Sequence, residues 1–482
     1  MLWGMISSRV RAPRFGPGRL IVDGADTVLS RKATFAFRPS RRREGSLLAL
    51  LRACCEVYNA GLQERRDAWA ASHAQVTVFD QFKQVTGLRG VRDDVLGWGI
   101  QPVRGALRRL DGAFAGFYRR VAAGQTPGFP RFRSHRRFDT VSWDEPSSWR
   151  VNIDGHWLRI HGVGEIRLPK SPRRQLARLA DRGGVPRTLT VTRCRAGGTT
   201  ERPRWVWRAT VGFTQVTPIT TTPTLGPGSV IGADRGVVVT LATSDGRLEQ
   251  MPDWMGTARE RIVVLQQAQA RKTKYSRAWR QLNRQIGREH RKTSRRVDNW
   301  ARTTARELVA RAEVIALEDL NLPGMTRSAK GTIENPGSNV AAKSGLNRAL
   351  HDAALGRLAR WVGVKAEEAG HRTWLVNPAH TSQQCNPCGH TAKDNRPDRD
   401  TFICTRCGHK AHADINAAQN IATRAMVCEA AWHDAGRPPL HRPTPRLRRR
   451  TRSAVPSGSE TTKHDRGRAG SGATTHGGQT QK

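Results

Sequence analysis

Residues 377–421 read NPAHTSQQCNPCGHTAKDNRPDRDTFICTRCGHKAHADINAAQNI. Two Cys-x-x-Cys pairs, Cys385/Cys388 and Cys404/Cys407, stand fifteen residues apart, the spacing of a four-thiolate zinc ribbon in which each pair caps a tight turn. A glycine follows each pair, Gly389 and Gly408, where such a turn calls for positive φ. His390 and His409 are expected beside the metal rather than on it. A staple of this kind says little about function by itself. The informative residue is Asp414, seven positions after the last cysteine, at the start of an apolar-patterned helix.

Outward from this stretch, the whole chain carries a formal charge of +42 over 482 residues, with a pI near 11.5. From His433 onward, eleven Lys/Arg against three Asp/Glu contribute +8, so +34 belongs to the body. Charge of this size points to a polyanion. With no amphipathic membrane helix in view, nucleic acid is the expected partner and a membrane is not. No run approaches eighteen apolar residues and no signal-peptide pattern opens the chain, which predicts a cytoplasmic, nucleoid-associated protein. Cys54, Cys55, Cys194 and Cys428 read as small buried residues in a reducing compartment.

Residues 1–30 lack periodicity and read as a flexible leader. Phe35 and Phe37 alternate as in a strand, after which Leu47, Leu51, Cys54, Tyr58 and Leu62 recur at helical steps. A second amphipathic helix is expected after Pro102, through Val103, Leu107, Leu110, Phe114, Phe117 and Val121. Residues 124–143, GQTPGFPRFRSHRRFDTVSW, then interleave aromatics (Phe129, Phe132, Phe138, Trp143) with Arg131, Arg133, Arg136 and Arg137. Rings stack on bases and guanidinium groups grip phosphates, so Phe129, Arg131, Phe132, Arg133, Arg136 and Arg137 are the candidate nucleic-acid contacts. Residues 148–215 read as strands and complete a small antiparallel barrel around the helical insertion. TPITTTPTLGPG, residues 217–228, is a linker by composition.

Beyond the linker, SVIGADRGVVVTLATSDGRL reads as a hairpin with Asp234 in its first strand, flanked by Gly232 and Gly236, which would let a ligand approach the backbone. AEVIALEDLNL places Glu318 at the end of a short buried strand, where α/β sheets put their chemistry. With Asp414 these make three carboxylates on two strands and a following helix. Phosphodiester hydrolysis by two cations needs such convergence, and the hard oxygen set predicts Mg2+. The basic helix from Ser276 to Arg311 is expected to pack Leu282, Ile286, Trp300 and Leu308 on the sheet and turn its arginines to nucleic acid. Residues 321–345 read as a lid.

IGADRGV, VIALEDLNL and the cysteine-rich stretch resemble the three RuvC motifs and zinc ribbon of the TnpB (OrfB) proteins of bacterial insertion sequences, relatives of the type V CRISPR effectors. EVYNAGLQERRDAW, PGFPRFRS and LNRALHDAALGRLARWVGVKAEEAG, read as one helix before the ribbon, extend the resemblance over about residues 33–425. It implies a transposon-encoded RNA-guided DNA endonuclease, with a guide RNA from the transposon end and target double-stranded DNA as partners. Asp234, Glu318 and Asp414 would be the catalytic Mg2+ ligands, and Cys385, Cys388, Cys404 and Cys407 the structural Zn2+ ligands. Arg235 departs from the family pattern; its side chain is expected to point away from that of Asp234 and to matter little.

The expected fold is thus multidomain α+β: a leader (1–30), a wedge β-barrel (31–216) with a helical recognition bundle inserted at about 45–145, a linker (217–228), an RNase H-like RuvC α/β nuclease domain (229–380 and 411–430) interrupted by a zinc ribbon (381–410), and a disordered basic tail (431–482). The competing readings are a nuclease-silent guided or plain DNA-binding protein and a compact type V CRISPR effector. Three unpaired carboxylates argue against silence. A tyrosine strand transferase is disfavoured because Tyr58, Tyr118 and Tyr275 all sit in helical patterns that packing explains.

Overall fold

The computed structural model describes residues 18–22, 29–88, 90–198, 203–218, 222–226, 228–332 and 335–435. The tail beyond 435 and most of the leader lie outside the described residues. A short strand within the expected leader, β1 (Arg19–Val22), is an exception considered below. Strand β2 (Leu29–Phe37) buries every second side chain from Ala33 to Phe37 and leads to helix α1 (Arg41–Ser72), opened by the Ser40 hydroxyl accepting from the Arg43 N–H. Helix α2 (Val78–Gly87) begins with a reciprocal Thr77/Asp80 capping box, and a turn of helix, α3 (Asp93–Leu96), precedes α4 (Ile100–Ala122). Helix α4 starts two residues before Pro102, because the first-turn N–H groups have no intrahelical acceptor to lose.

Strands β3 (Thr140–Trp143), β4 (Trp149–Asn152), β5 (Trp157–Ile160) and β6 (Gly164–Arg167) follow, then helix α5 (Lys170–Asp181) and the long hairpin β7 (Val185–Gly198) and β8 (Pro203–Val216). Pairing gives an antiparallel sheet in the order β2-β8-β7-β3 and a separate sheet β4-β5-β6. The strands expected to form a barrel are therefore two sheets over one core, in which Phe37, Trp143, Leu158, Ile166, Trp207 and Phe213 meet Leu50 and Tyr58 of α1. Helix α5 was not legible: Leu176 and Leu179 are its buried apolar side chains, too few to mark a period.

The second half is built on a six-stranded sheet in the order β1-β13-β12-β9-β10-β11. Strands β9 (Val230–Asp234), β10 (Leu241–Thr243) and β11 (Leu248–Glu249) form an antiparallel run. Helices α6 (Trp254–Ala270) and α7 (Arg277–Arg311) lead to β12 (Val314–Glu318), which lies parallel to β9. A helical turn, α8 (Leu322–Met325), and helices α9 (Val340–Asp352) and α10 (Leu355–Ala369) precede β13 (Arg372–Val376), parallel to β12. Small strands β14 (Thr401–Ile403) and β15 (Lys410–His412) then give way to helix α11 (Ala413–Asp434).

Alternation along the strands separates two faces. Ile231, Ala233, Ile315 and Leu317 pack against Ala305 and Leu308 of α7 and Leu358 and Val362 of α10. Val314, Ala316, Trp374 and Val376 pack against Ile421, Ala425 and Trp432 of α11. Because both faces are covered, β12 is buried along its whole length, and an apolar run broken only by its terminal acid is what such a strand requires.

Several expectations are corrected by packing. Arg19 and Leu20 pair with Leu375 and Trp374 on the sheet edge, so part of the leader is structural. Only the C-terminal half of α7 reaches the sheet; Ile286 packs instead on Ala258 and Ile262 of α6. The helix read through LNRALHDAALGRLARWVGVKAEEAG is broken at Ala353 and Ala354, the latter left-handed with φ 52°. Phe138 and Trp143, counted in the aromatic–arginine alternation of the loop, are fully buried in the first core. Cys194 and Cys428 are half-buried rather than buried.

Gly232 does not open the backbone to a ligand. A Cβ there would lie 2.0 Å from the Ala418 carbonyl oxygen and 2.5 Å from the Ala422 nitrogen, so the α11 backbone rests directly on β9. Gly232→Ala is expected to cost about 1–3 kcal/mol, read as a lower denaturation midpoint at constant slope. Gly45→Ala in α1, where nothing lies within 4 Å of the added methyl, serves as the near-neutral or stabilising control.

Candidate functional site

Each Cys-x-x-Cys pair sits on a repeated turn. Gly389 and Gly408, at φ 71° and 72°, donate N–H bonds of 2.9 Å to the carbonyls of Cys385 and Cys404. The Cys385 and Cys404 N–H groups in turn bond the carbonyls of His390 (2.8 Å) and His409 (2.9 Å). These loops bring the four Sγ atoms within 4.8 Å of one another, with Cys385–Cys407 and Cys388–Cys404 at 3.6 Å. The edge of a tetrahedron of sulfurs about 2.3 Å from a central zinc is about 3.8 Å, so the cluster has the size of a Zn(Cys)4 site. Although burial raises it, the Cys404 thiol is held down to about 6 by the backbone N–H groups of Cys407 and Arg406, which favour the thiolate a metal needs. His390 bonds Thr405 Oγ1 at 3.2 Å and His409 tilts against Phe402, so neither belongs to the ligand set.

The acids come together from three elements. Alternation puts Asp234 on the side of Gly232 and Glu318 on the side of Ala316, both toward α11, whose first turn carries Asp414. All three line one cleft of about 380 Å³, together with Thr381, Arg396 and Arg399. Glu318 Oε1 accepts from Thr381 Oγ1 at 2.5 Å, and Asp414 Oδ1 accepts from Arg396 Nη2 at 3.1 Å. The carboxylates are spread more widely than the thiolates, which among the described residues are the set gathered within 4.8 Å. Burial, then the charges of Glu318 and Asp414, push the Asp234 carboxyl up to about 7. Burial likewise raises Glu318, against the Thr381 bond and the charges of Arg235 and Arg424. Hard oxygens that repel one another in a half-open cleft are suited to a divalent cation, whose charge removes the conflict.

Arg235 was expected to matter little. The pleat does carry its side chain to the opposite face, but there it is buried, donating to the carbonyl oxygens of Glu318 (2.6 Å) and Leu355 (3.0 Å). It ties the end of β9 to the end of β12 and the start of α10. Gly236 serves the same turn, since a Cβ would meet the Val239 carbonyl at 2.5 Å. Arg424 of α11 donates to the carbonyls of Asn377 (2.6 Å) and Ala379 (2.9 Å), fixing the approach to the ribbon. These arginines were hidden in a chain where arginine is everywhere.

The candidate nucleic-acid residues lie apart in sequence and line a second, larger groove of about 900 Å³ between the loop at 128–137 and α4, which adds Arg119 and Arg120. Phe129 and Phe132 are about half exposed; Phe129 packs edge-on against Phe114 and Phe117, and Arg66 lies over the Phe132 ring. The loop is held by Asn59, which accepts from the Arg133 N–H (2.8 Å) and donates to its carbonyl (2.9 Å). The stretch read as a lid contains α8 and an isolated bridge between Gly331 and Pro336; residues 333 and 334 lie outside the described residues. Among the described residues, no helix is long and apolar enough to cross a membrane.

Residues 213–329 match the OrfB_IS605 family model, described as "Probable transposase", and residues 356–421 match that of the "Cas12f1-like, TNB domain". Over 418 residues, 85% of this chain and 96% of the relative, the sequence is 28% identical to the "Putative RNA-guided DNA endonuclease InsQ" of Escherichia coli (strain K12). The chain thus carries matches to an OrfB_IS605 transposase domain and to a Cas12f1-like TNB domain. A local match links this chain to the "CRISPR-associated endodeoxyribonuclease Cas12f1" of Sulfoacidibacillus thermotolerans, 48% identical over 58 residues, 12% of this chain and 14% of that one. The solved "Cryo-EM structure of the Cas12f1-sgRNA-target DNA complex" aligns with a TM-score of 0.49 at 14% identity, covering 79% of this chain and 82% of that one.

Two measurements check the site. The purified protein is expected to carry about one zinc per chain by atomic emission, lost in Cys385→Ser and Cys404→Ser and kept in Cys428→Ser. The second concerns charge. Asp234 has a folded-state pKa above its unfolded value, so without divalent cation its contribution to stability is present at low pH and lost as pH rises toward about 7. The thermal midpoint should then fall by roughly a few degrees between about pH 5 and pH 8, less so in Asp234→Asn, and Mg2+ should restore it at the higher pH.

Proposed function

We propose that this chain is a transposon-encoded, RNA-guided DNA endonuclease that hydrolyses phosphodiesters with divalent metal held by Asp234, Glu318 and Asp414. The observation that carries the reading is the convergence of these three acids, from strand ends 84 residues apart and a helix start 96 residues further on, in one cleft. Holding the Asp234 and Glu318 carboxyls out of water beside one another destabilises the empty fold, which a purely DNA-binding protein would have no reason to keep. The match of residues 213–329 to the transposase family model and the name of the E. coli relative support the same activity.

When bound, magnesium supplies Lewis-acid stabilisation of the phosphate and an acidified water. The protein's part is positioning. Asp234 and Glu318 project from rigid strand ends braced by Arg235, and Asp414 stands in the first turn of α11. Arg396 and Arg399 from the ribbon loop supply positive charge at the cleft wall, suited to a phosphate. In this reading residues 229–380 and 411–430 form the RuvC-like nuclease domain, and residues 381–410 a zinc ribbon that stiffens its last helix. Residues 31–216 form the wedge and recognition part, whose arginine-lined groove at Phe129, Arg131, Phe132, Arg133, Arg136 and Arg137 follows the sugar-phosphate backbone of a guide RNA or its heteroduplex. The charge of +42 makes that binding steeply salt-dependent.

The test is to purify the protein with its native flanking DNA transcribed, sequence the co-purified RNA and incubate the complex with a matched duplex and Mg2+. Asp234→Ala is expected to retain RNA and lose cleavage by about a hundredfold or more. If Asp234→Ala cuts like wild type, the assignment of the cleft is wrong.

A further inference from the structure

We infer that Thr381 is a positioning residue for Glu318, coupling the zinc ribbon to the acidic cleft through one hydroxyl; the inference rests on the metal-binding role proposed for Glu318. Thr381 is 3% exposed and lines the cleft, four residues before Cys385. Its Oγ1 has one proton and two acceptors in reach: Glu318 Oε1 at 2.5 Å and the Pro378 carbonyl at 3.0 Å. The shorter contact goes to the carboxylate. A glutamate at a strand end has three side-chain torsions to order, and a bond to one oxygen selects a rotamer while leaving Oε2 for an ion.

The backbone that carries this hydroxyl is itself held by a ladder of buried amides. Asn416 and Asn420, one turn apart on α11, are 0% and 4% exposed. Asn420 Nδ2 donates to the carbonyls of Thr381 (2.8 Å) and Gln384 (2.6 Å), and Asn416 Nδ2 to that of Gln384 (2.8 Å). Asn416 Oδ1 accepts from the N–H of Asn386, inside the first Cys-x-x-Cys pair, at 3.1 Å. Every rung joins the root of the ribbon to the helix bearing Asp414. Thr381 is the one member of the ladder that also touches Glu318, so the order imposed by the zinc knuckle reaches the carboxylate through this side chain.

Thr381→Val keeps shape and removes the donor, whereas Thr381→Ser keeps the donor. Two quantities are read on protein with full zinc content: the Mg2+ concentration at half-maximal thermal stabilisation, without nucleic acid, and single-turnover guided cleavage. Thr381→Val is expected to raise the first or lower the second by about 10–100-fold, and Thr381→Ser to stay within about threefold of wild type. Should Thr381→Val not retain zinc, Thr381→Ser against Thr381→Ala makes the same comparison, since the two differ only in the hydroxyl. Equal behaviour of the hydroxyl-bearing and hydroxyl-free variants in both readouts overturns the inference. Failure of wild type to cleave, or cleavage by Asp234→Ala, overturns the nuclease reading instead, and the Mg2+ midpoints still decide the role of Thr381.

Discussion

The contact between the α11 backbone and Gly232 is what the rest of the site depends on. A helix normally stands off a sheet by the length of two side chains, about 10 Å from axis to sheet. Here one partner has no side chain and the other offers alanines: Ala418 and Ala422 lie over Gly232, and the two backbones meet. Asp414 enters the cleft because α11 is this close. Ala418 and Ala422 are therefore a spacing device, and the apolar burial that holds the helix comes from Ile421, Ala425 and Trp432 of the same helix.

Much of this was legible in the sequence, for reasons specific to each element. Cysteine spacing foretold the cluster of four thiols because thiolate ligation tolerates few geometries, and the turns at Gly389 and Gly408 followed. Strand β12 was legible from Val314 to Leu317 because a strand buried on both faces admits only apolar residues. Asp234 and Glu318 stood out as acids terminating such runs. What stayed hidden depends on long-range packing. Strand β1 has four residues and no period of its own, and only the edge of β13 makes it a strand. Helix α5 buries too few apolar side chains to show a period, and the break at Ala354 has no glycine or proline at it to announce it. Phe138 and Trp143 shared a composition with their exposed neighbours and could be separated from them only by the core they enter.

Arg235 and Thr381 illustrate a different limit. Both act on Glu318, one through its carbonyl and one through its carboxylate, across 83 and 63 residues of chain. Neither is unusual as a residue type, and neither lies in a local pattern that chemistry would single out. A strand-end glutamate can be read from its own surroundings, whereas the groups that fix its orientation are known only once the chain has closed on itself. The strongly basic composition compounds this, since structural guanidinium groups such as Arg235 and Arg424 are indistinguishable in the sequence from those that face solvent.

The pairing of β1 with β13 has a consequence for synthesis. Residues 19–22 must wait for residues 372–376, some 350 residues later, before that edge can form. The third acid leaves the ribosome 180 residues after the first, a lag of about 10 to 40 s at ordinary elongation rates. A nascent chain thus exposes the first half, with its arginine-lined groove, well before the cleft is complete. Under the proposed function, the order of translation lets nucleic acid engage the groove before the acidic cleft can act, and a chain truncated before α11 is expected to bind without cutting.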